Sequence, residues 1–364
     1  MPLSKGDPAP YFKQRSASNP SYAFDAAAGR YLVLCFFGSA AHPLAERALH
    51  AVRQRNDLFD DKHASFFGVS NDREDERQAR VVEKYPGYRF FWDVDFKAAK
   101  RYGVVDKTGN RMAPTWFVIS PSMRIVLVEH FQEDGSDIDR IVAFLESAPP
   151  AERFTGMELH APIVVLPDII EPELCKAMIS LYRANGGVDS GFMQEKDGKT
   201  VGQLDYSHKR RRDCLIEDKT LIKALQNRVQ RRIVPELKKV HQFSVSRMER
   251  YIIARYAADE AGHFRPHRDN TTSGTAHRRF AVSINLNSDF DGGDILFPEY
   301  GQRAFRPPEG GAVVFSCSLQ HAVNKVTRGE RFAFLPFLYD EAAAKIRAEN
   351  NANLGEGIEH YSAA

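Results

Sequence analysis

His267 and Asp269 stand one residue apart in Gly262-His263-Phe264-Arg265-Pro266-His267-Arg268-Asp269-Asn270. A second histidine, His321, follows 52 positions after Asp269, and Arg331 comes ten residues later. Side chains at i and i+2 share one face of an extended strand, so His267 and Asp269 can approach a single ion. Two imidazoles and one carboxylate form a facial ligand set suited to iron(II), with three coordination positions left open. Open positions are what an oxygenase needs to hold a co-substrate and dioxygen together. A lone His-x-Asp carries little weight; the distal His321, a Gly-bearing turn and Arg331 give it its context.

These residues must be positioned by the second half of the chain, which reads as many short strands. One is expected over 249–256, followed by a loop at 257–266. Others follow at 280–286, 295–297, 310–316 and 331–339, with a turn at 289–294 carrying Gly292-Gly293. Short strands with Gly- and Pro-rich connections describe a barrel or sandwich rather than an α/β layer. Ser283 and Asn285 are polar residues within an apolar strand and are candidates to line a pocket. Gly292 and Gly293 suit a tight turn. Arg268 should point away from the ligand face, and His263 is a spare histidine on the approach.

Tyr256, His267-Arg268-Asp269, Asp291-Gly292-Gly293-Asp294 with Phe297-Pro298, and His321-Ala322-Val323 through Arg331 together resemble the iron(II)/2-oxoglutarate dioxygenases of the prolyl-4-hydroxylase-like branch. The resemblance covers about residues 160–340. It implies a double-stranded β-helix (jelly roll) with flanking helices. It implies iron(II) held by His267, Asp269 and His321, and 2-oxoglutarate held through its distal carboxylate by Arg331, with Tyr256, Ser283 and Asn285 nearby. A guanidinium suits that task because it grips a planar carboxylate with two charge-assisted hydrogen bonds. Dioxygen would be the second co-substrate, with ascorbate as a further cofactor. The implied reaction is hydroxylation of an unactivated C–H bond, with 2-oxoglutarate converted to succinate and carbon dioxide. Asp269 argues against a halogenating variant, which would leave that position to a halide. The substrate would be a prolyl or other protein side chain, a peptide or a small molecule. The same ligands would also suit hydrolytic zinc.

The first half has a different pattern. Residues 30–37 form an apolar, β-rich run between Gly29 and Gly38, followed by helical spacing over 43–60. Further strands are expected at 64–70, 90–93, 115–119 and 125–131, with helices starting after Asp72 and spanning 96–102 and 138–145. Strands alternating with helices make a layered α/β sheet. Gly6-Asp7-Pro8-Ala9-Pro10, Val33-Leu34-Cys35-Phe36-Phe37, Gly68-Val69-Ser70 and Ala113-Pro114-Thr115-Trp116-Phe117-Val118-Ile119 resemble the peroxiredoxin branch of the thioredoxin fold, over about residues 5–147. Pro114 matches a proline such folds often hold in cis. The family's reactive cysteine should follow the first strand, yet Ala45 and Glu46 occupy that stretch. Neither supplies a thiolate. Cys35 reads as a core thiol and His42 as a surface or cap residue. This half is therefore expected to be a scaffold, a homodimerisation module or a substrate-presenting module. The competing functions for the whole chain are a thiol-dependent peroxidase and a non-catalytic binding or scaffold protein.

Composition sets the remaining bounds. The chain has 364 residues, with 50 basic and 48 acidic ones, for a formal charge of +2. Its length favours two domains, and its charge balance gives no global attraction to nucleic acid or anionic membranes. Four scattered cysteines make neither a zinc ribbon nor a disulfide framework. No signal peptide or membrane-spanning run is recognisable, and a cytoplasmic location is the expectation. Residues 148–162, with Pro149-Pro150 near one end and Pro162 at the other, mark the junction. The expected organisation is residues 1–150, residues 160–345, and a peripheral tail over 346–364. Residues 184–202 read as an exposed loop. His208-Lys209-Arg210-Arg211-Arg212-Asp213 reads as a solvated basic run, with nucleic-acid binding the less favoured alternative. Residues 221–240 read as one or two helices broken near Pro235.

Overall fold

The computed structural model describes residues 3–355 apart from 107 and 110, together with residue 358. The chain divides into two units, one running to His160 and the other starting at Ala161, with Pro298–Gln302 grouped with the first.

The first unit is built on a five-stranded sheet in the order Tyr88–Trp92, Ala64–Ser70, Tyr31–Gly38, Thr115–Ile119, Ile125–His130. The first three strands run parallel, and the last two are antiparallel additions. Both faces of the central strand are covered, which is why it reads as an unbroken apolar run. Val33, Cys35 and Phe37 pack with Ala48, Leu49 and Ile141 of the Pro43–Arg53 and Ser136–Ser147 helices. Leu32, Leu34 and Phe36 face Phe12, Phe24 and Tyr102 on the other side. His42 caps the Pro43–Arg53 helix, its Nδ1 accepting from the Leu44 amide at 3.3 Å. The cis peptide among the described residues is Tyr85–Pro86; the bond before Pro114 is trans, against the expectation for that position.

The second unit holds a major sheet of nine strands and a minor sheet of five. In the major sheet, Phe280–Asn285 pairs with Ala312–Ser316, Glu330–Phe334 and Phe337–Tyr339, and Ile252–Ala257 pairs with Glu330–Phe334. Its alternation sorts the side chains. Phe280, Val282, Ile284, Phe332 and Phe334 join Cys175, Met178, Leu225 and Val229 of the helices Pro172–Asn185 and Lys219–Arg232 in one core. The intervening Ala281, Ser283 and Arg331 turn to the opposite face and line a cavity. The minor sheet runs Lys209–Arg210, His263–His267, His321–Val323, Ile295–Leu296, Ala304–Phe305 and supplies the facing wall.

Several elements depart from the sequence expectation. The 249–256 strand is two strands, Arg247–Glu249 and Ile252–Ala257, parted by Arg250 at φ 69°. The first pairs with Phe337–Tyr339 and the second with Glu330–Phe334, so the break follows a change of partner. The 331–339 strand divides likewise, into Glu330–Phe334 and Phe337–Tyr339. The approach loop contains the strand His263–His267. Residues 184–202 include a hairpin of Phe192–Lys196 and Lys199–Gln203. It turns at Asp197 and Gly198, both at positive φ, a pairing that Asp-Gly favours. The one or two helices expected over 221–240 are two, Lys219–Arg232 and Val234–His241. After the final helix Glu341–Glu349, Gly355 donates its amide to the Thr200 carbonyl at 2.8 Å; residues 356, 357 and 359–364 of the expected tail lie outside the described residues. Among the described residues, no helix is long and apolar enough to cross a membrane.

Candidate metal centre and its cavity

His267 and His321 are directly opposed across an antiparallel ladder, the one ending His263–His267 and the other opening His321–Val323. Asp269 lies past the strand end, where its amide donates to the Cys317 carbonyl at 3.0 Å. The i, i+2 pairing thus survives even though the carboxylate sits on a turn. His267 Nε2 is 3.6 Å from one Asp269 oxygen and His321 Nε2 is 3.4 Å from the other. One ligand atom from each of the three residues falls within 4.8 Å of the others.

Each imidazole is oriented by its own chain. Nδ1 of His267 bonds the Arg265 carbonyl at 2.8 Å, and Nδ1 of His321 bonds the Leu319 carbonyl at 3.1 Å. A carbonyl only accepts, so each Nδ1 carries the proton and each Nε2 presents a lone pair to the gap. Burial, reinforced by neighbouring His321, pushes the His267 pKa down to about 4, which keeps the ring neutral. Burial disfavours the Asp269 anion, but His321 and His267 outweigh it and hold this carboxyl well below the usual range. Two imidazoles that each turn Nε2 to the gap, with an ionised carboxylate between them, are the donor set a divalent cation requires. Phe264 stacks on His267 with centroids 3.4 Å apart. Arg268 points away and bonds the Ser318 carbonyl. His263 bonds the Ala261 and Ser207 carbonyls and stays outside the triad.

The triad opens into a cavity whose wall also holds Tyr256, Ser283 and Arg331. Tyr256 and Arg331 are register partners on adjacent strands. Arg331 is 1% exposed. Its Nε donates to Asn285 Oδ1 at 3.0 Å and its Nη2 to Ser283 Oγ at 2.8 Å. Its Nη1 is buried without a hydrogen-bond partner. Burial lowers the guanidinium pKa. A buried cation with an unused N–H beside a cavity is suited to an anionic ligand. Gly293 makes room for it: a Cβ there would meet Arg331 Cδ at 3.1 Å. Ser283 and Asn285 therefore orient Arg331, and Asn285 reaches the site only through it.

The basic run is not the solvated stretch its composition predicts. Lys209 and Arg211 are buried, and Arg210 and Arg212 lie outward of them. Arg211 forms a two-pronged pair with Asp213 at 2.7 Å on both oxygens and donates to Tyr256 Oη at 3.4 Å. Lys209 donates to Ser190 Oγ at 2.7 Å and lies 4.9 Å from the Phe264 ring centre. Two further residues were missed. Arg250 lines the cavity. Arg278 reaches toward the Asp269 carbonyl at 3.5 Å and is held by buried Glu249 at 2.9 Å. Alternation within 208–213 was the available signal for the first pair.

The two halves match different family models: residues 5–128 the AhpC/TSA family and residues 251–339 the 2OG-Fe(II) oxygenase superfamily. The chain joins an AhpC/TSA-like, thioredoxin-fold domain to a 2OG-Fe(II) oxygenase-like domain. A PKHD-type hydroxylase of Shewanella frigidimarina (strain NCIMB 400) is 30% identical over 80 residues, 22% of this chain and 35% of that protein. One from Paracoccus denitrificans (strain Pd 1222) is 40% identical over 53 residues, 14% of this chain and 23% of that protein. The chain thus spans about a third or less of the length of these relatives. A solved prolyl hydroxylase from Trichoplax adhaerens, in complex with a hypoxia inducible factor oxygen degradation domain peptide fragment, is 14% identical, with 58% of this chain and 91% of that chain covered and a TM-score of 0.39. The oxygenase-like domain resembles PKHD-type and prolyl-hydroxylase-like enzymes and carries a candidate facial-triad metal site. In the AhpC/TSA-like domain, Ala45 is buried in a helix where the reactive cysteine was sought, and Cys35 is a fully buried core thiol that burial drives well above its ordinary pKa.

Proposed function

We propose that the oxygenase-like domain binds iron(II) through His267, Asp269 and His321, binds 2-oxoglutarate through Arg331, and hydroxylates an unactivated C–H bond. The observation that carries this reading is the buried Arg331, with Nη1 unpaired, in the same cavity as the triad. The donor set fits the metal: two imidazole Nε2 atoms and one carboxylate on one side leave the cavity side free. When bound, iron and 2-oxoglutarate supply the oxidation, in which the keto acid becomes succinate and carbon dioxide and an oxygen atom of dioxygen enters the C–H bond.

The chain's own residues bind, orient and exclude water. The Arg265 and Leu319 carbonyls hold the imidazoles in the ligating tautomer. Ser283 and Asn285 hold the Arg331 guanidinium in one orientation, leaving Nη1 to meet a distal carboxylate, with Tyr256 alongside. Ile295, Phe315 and Val323 make the wall apolar, which strengthens the charged contacts within. The names of the relatives support a prolyl or other protein side chain as substrate, with peptides and small molecules as the wider class. Ascorbate would serve to restore iron(II). We infer an organisation of 1–150 and 160–345, with the AhpC/TSA-like domain serving as a scaffold, dimerisation or substrate-presenting module in a cytoplasmic protein. Nucleic acid is not favoured, because Lys209 and Arg211 are buried. Mass spectrometry should find a product gaining one oxygen atom only when both iron(II) and 2-oxoglutarate are present. Product formation without 2-oxoglutarate, or with zinc replacing iron, would refute the proposal.

A further inference from the structure

The cavity carries more positive charge than iron and 2-oxoglutarate require. Arg211, Arg250 and Arg331 line it, against one lining carboxylate, Asp269, and Asp213 held on Arg211. A divalent cation and a doubly ionised keto acid cancel each other and leave that excess in place. Arg331 is taken by the keto acid in the reading above. Arg211 is closed by Asp213, which grips it with both oxygens. Lys209 is spent on Ser190 and the Gly191 carbonyl. Arg250 is left. Its Nη2 donates to Asp213 at 3.1 Å, while Nε and Nη1 have no hydrogen-bond partner among the described residues. Its side chain is 26% exposed, so it sits where the cavity meets solvent.

The backbone supports the same reading. Arg250 is a non-glycine residue in the left-handed region, at φ 69°, between two strands that pair with different partners. Such conformations cluster at ligand sites, where surrounding structure over-determines them. The guanidinium lies 5.6 Å from the Phe337 ring centre, which limits its swing. A free, partly dry guanidinium fork with a fixed plane selects a carboxylate.

We propose that Arg250 binds a carboxylate of the substrate, so that the substrate class is a carboxylate-bearing molecule. This rests on the iron and 2-oxoglutarate reading and adds a substrate class to it. A free amino acid and an acidic residue of a peptide present the same group, and the test separates them.

The full chain is loaded with manganese(II) and N-oxalylglycine, a keto-acid analogue that is not decarboxylated, and titrated calorimetrically. The probes are the free L-amino acids, their primary amides, and capped tetrapeptides carrying either Glu or Gln. At least one carboxylate probe should bind ten-fold or more tightly than its neutral counterpart, and the arm in which it occurs names the source. R250Q should abolish the preference and R250K should keep part of it, with N-oxalylglycine binding reporting that the variants are folded. Equal binding of acids and amides, no binding by any acid, or a preference surviving R250Q would overturn the inference while sparing the metal site. Failure of N-oxalylglycine itself to bind would remove both.

Discussion

Replacing Arg331 with methionine separates binding from folding. The side chain is 1% exposed, and its two filled N–H groups reach only Ser283 and Asn285. Without a ligand, the buried guanidinium lacks a carboxylate partner and bears a desolvation penalty. Methionine of similar length removes that penalty but leaves Ser283 Oγ and Asn285 Oδ1 short of a donor, at about 1–3 kcal/mol each. The opposing effects should leave unfolding free energy within about 2 kcal/mol of the parent in urea titrations. Ligand binding has no such compensation. Charged hydrogen bonds contribute about 1.5–3 kcal/mol each, so losing the anchor should cost about 3 kcal/mol, or roughly a hundred-fold in 2-oxoglutarate affinity. Anaerobic calorimetry of metal-loaded protein measures that affinity. An R331M protein that binds 2-oxoglutarate within three-fold of the parent would refute the anchor. A loss of stability above about 4 kcal/mol would make Arg331 a structural keystone instead.

Further predictions concern the site's support and the AhpC/TSA-like domain. G292A should destabilise more than G293A in thermal unfolding. Both glycines are at positive φ, but a Cβ at Gly292 would meet the Lys325 carbonyl oxygen at 2.0 Å, whereas Gly293 faces the movable Val326 and Arg331 side chains. G293A should instead show its main effect as weaker 2-oxoglutarate binding. Asp61 accepts two hydrogen bonds from Arg89 at 2.7 Å; burial opposes its ionisation, but Arg89 and Ser65 prevail and lower its pKa to about 2. A depressed folded pKa contributes stability that is present above the unfolded value and lost as pH falls through the folded one. D61N should therefore cost about 2 kcal/mol at neutral pH, with the difference from the parent fading between about pH 4 and 2. A constant difference across that window would contradict the ion pair. All four cysteines are free and buried. A thiol reagent should find no fast-reacting thiol until the protein is unfolded, and no thiol-dependent peroxide consumption should be measurable.

The candidate triad was legible because its parts are chemically unusual in sequence: a His-x-Asp, a distant His and an Arg at a fixed interval. Ser283 and Asn285 were legible for a related reason, since polar residues alternating with Phe280, Val282 and Ile284 must occupy the non-helical face. The basic run failed because six consecutive polar residues look solvated when counted by composition. Period-two alternation places Lys209, Arg211 and Asp213 inward, and the partner that completes their network, Arg250, is 37 residues away. The break at Arg250 was illegible for the same reason: it marks an exchange of strand partners that no local propensity encodes. The hairpin at 192–203 did have a local signal in Asp197-Gly198, outweighed by the polar composition around it.

The proposed function stands on iron(II) and 2-oxoglutarate meeting at His267, Asp269 and His321. Its most direct test is anaerobic addition of 2-oxoglutarate to the iron(II)-loaded chain, followed by visible absorption. A metal-to-ligand charge-transfer band is expected in the parent protein and none in D269A. A folded, iron-loaded parent without the band, or a D269A protein that retains it, would contradict the account.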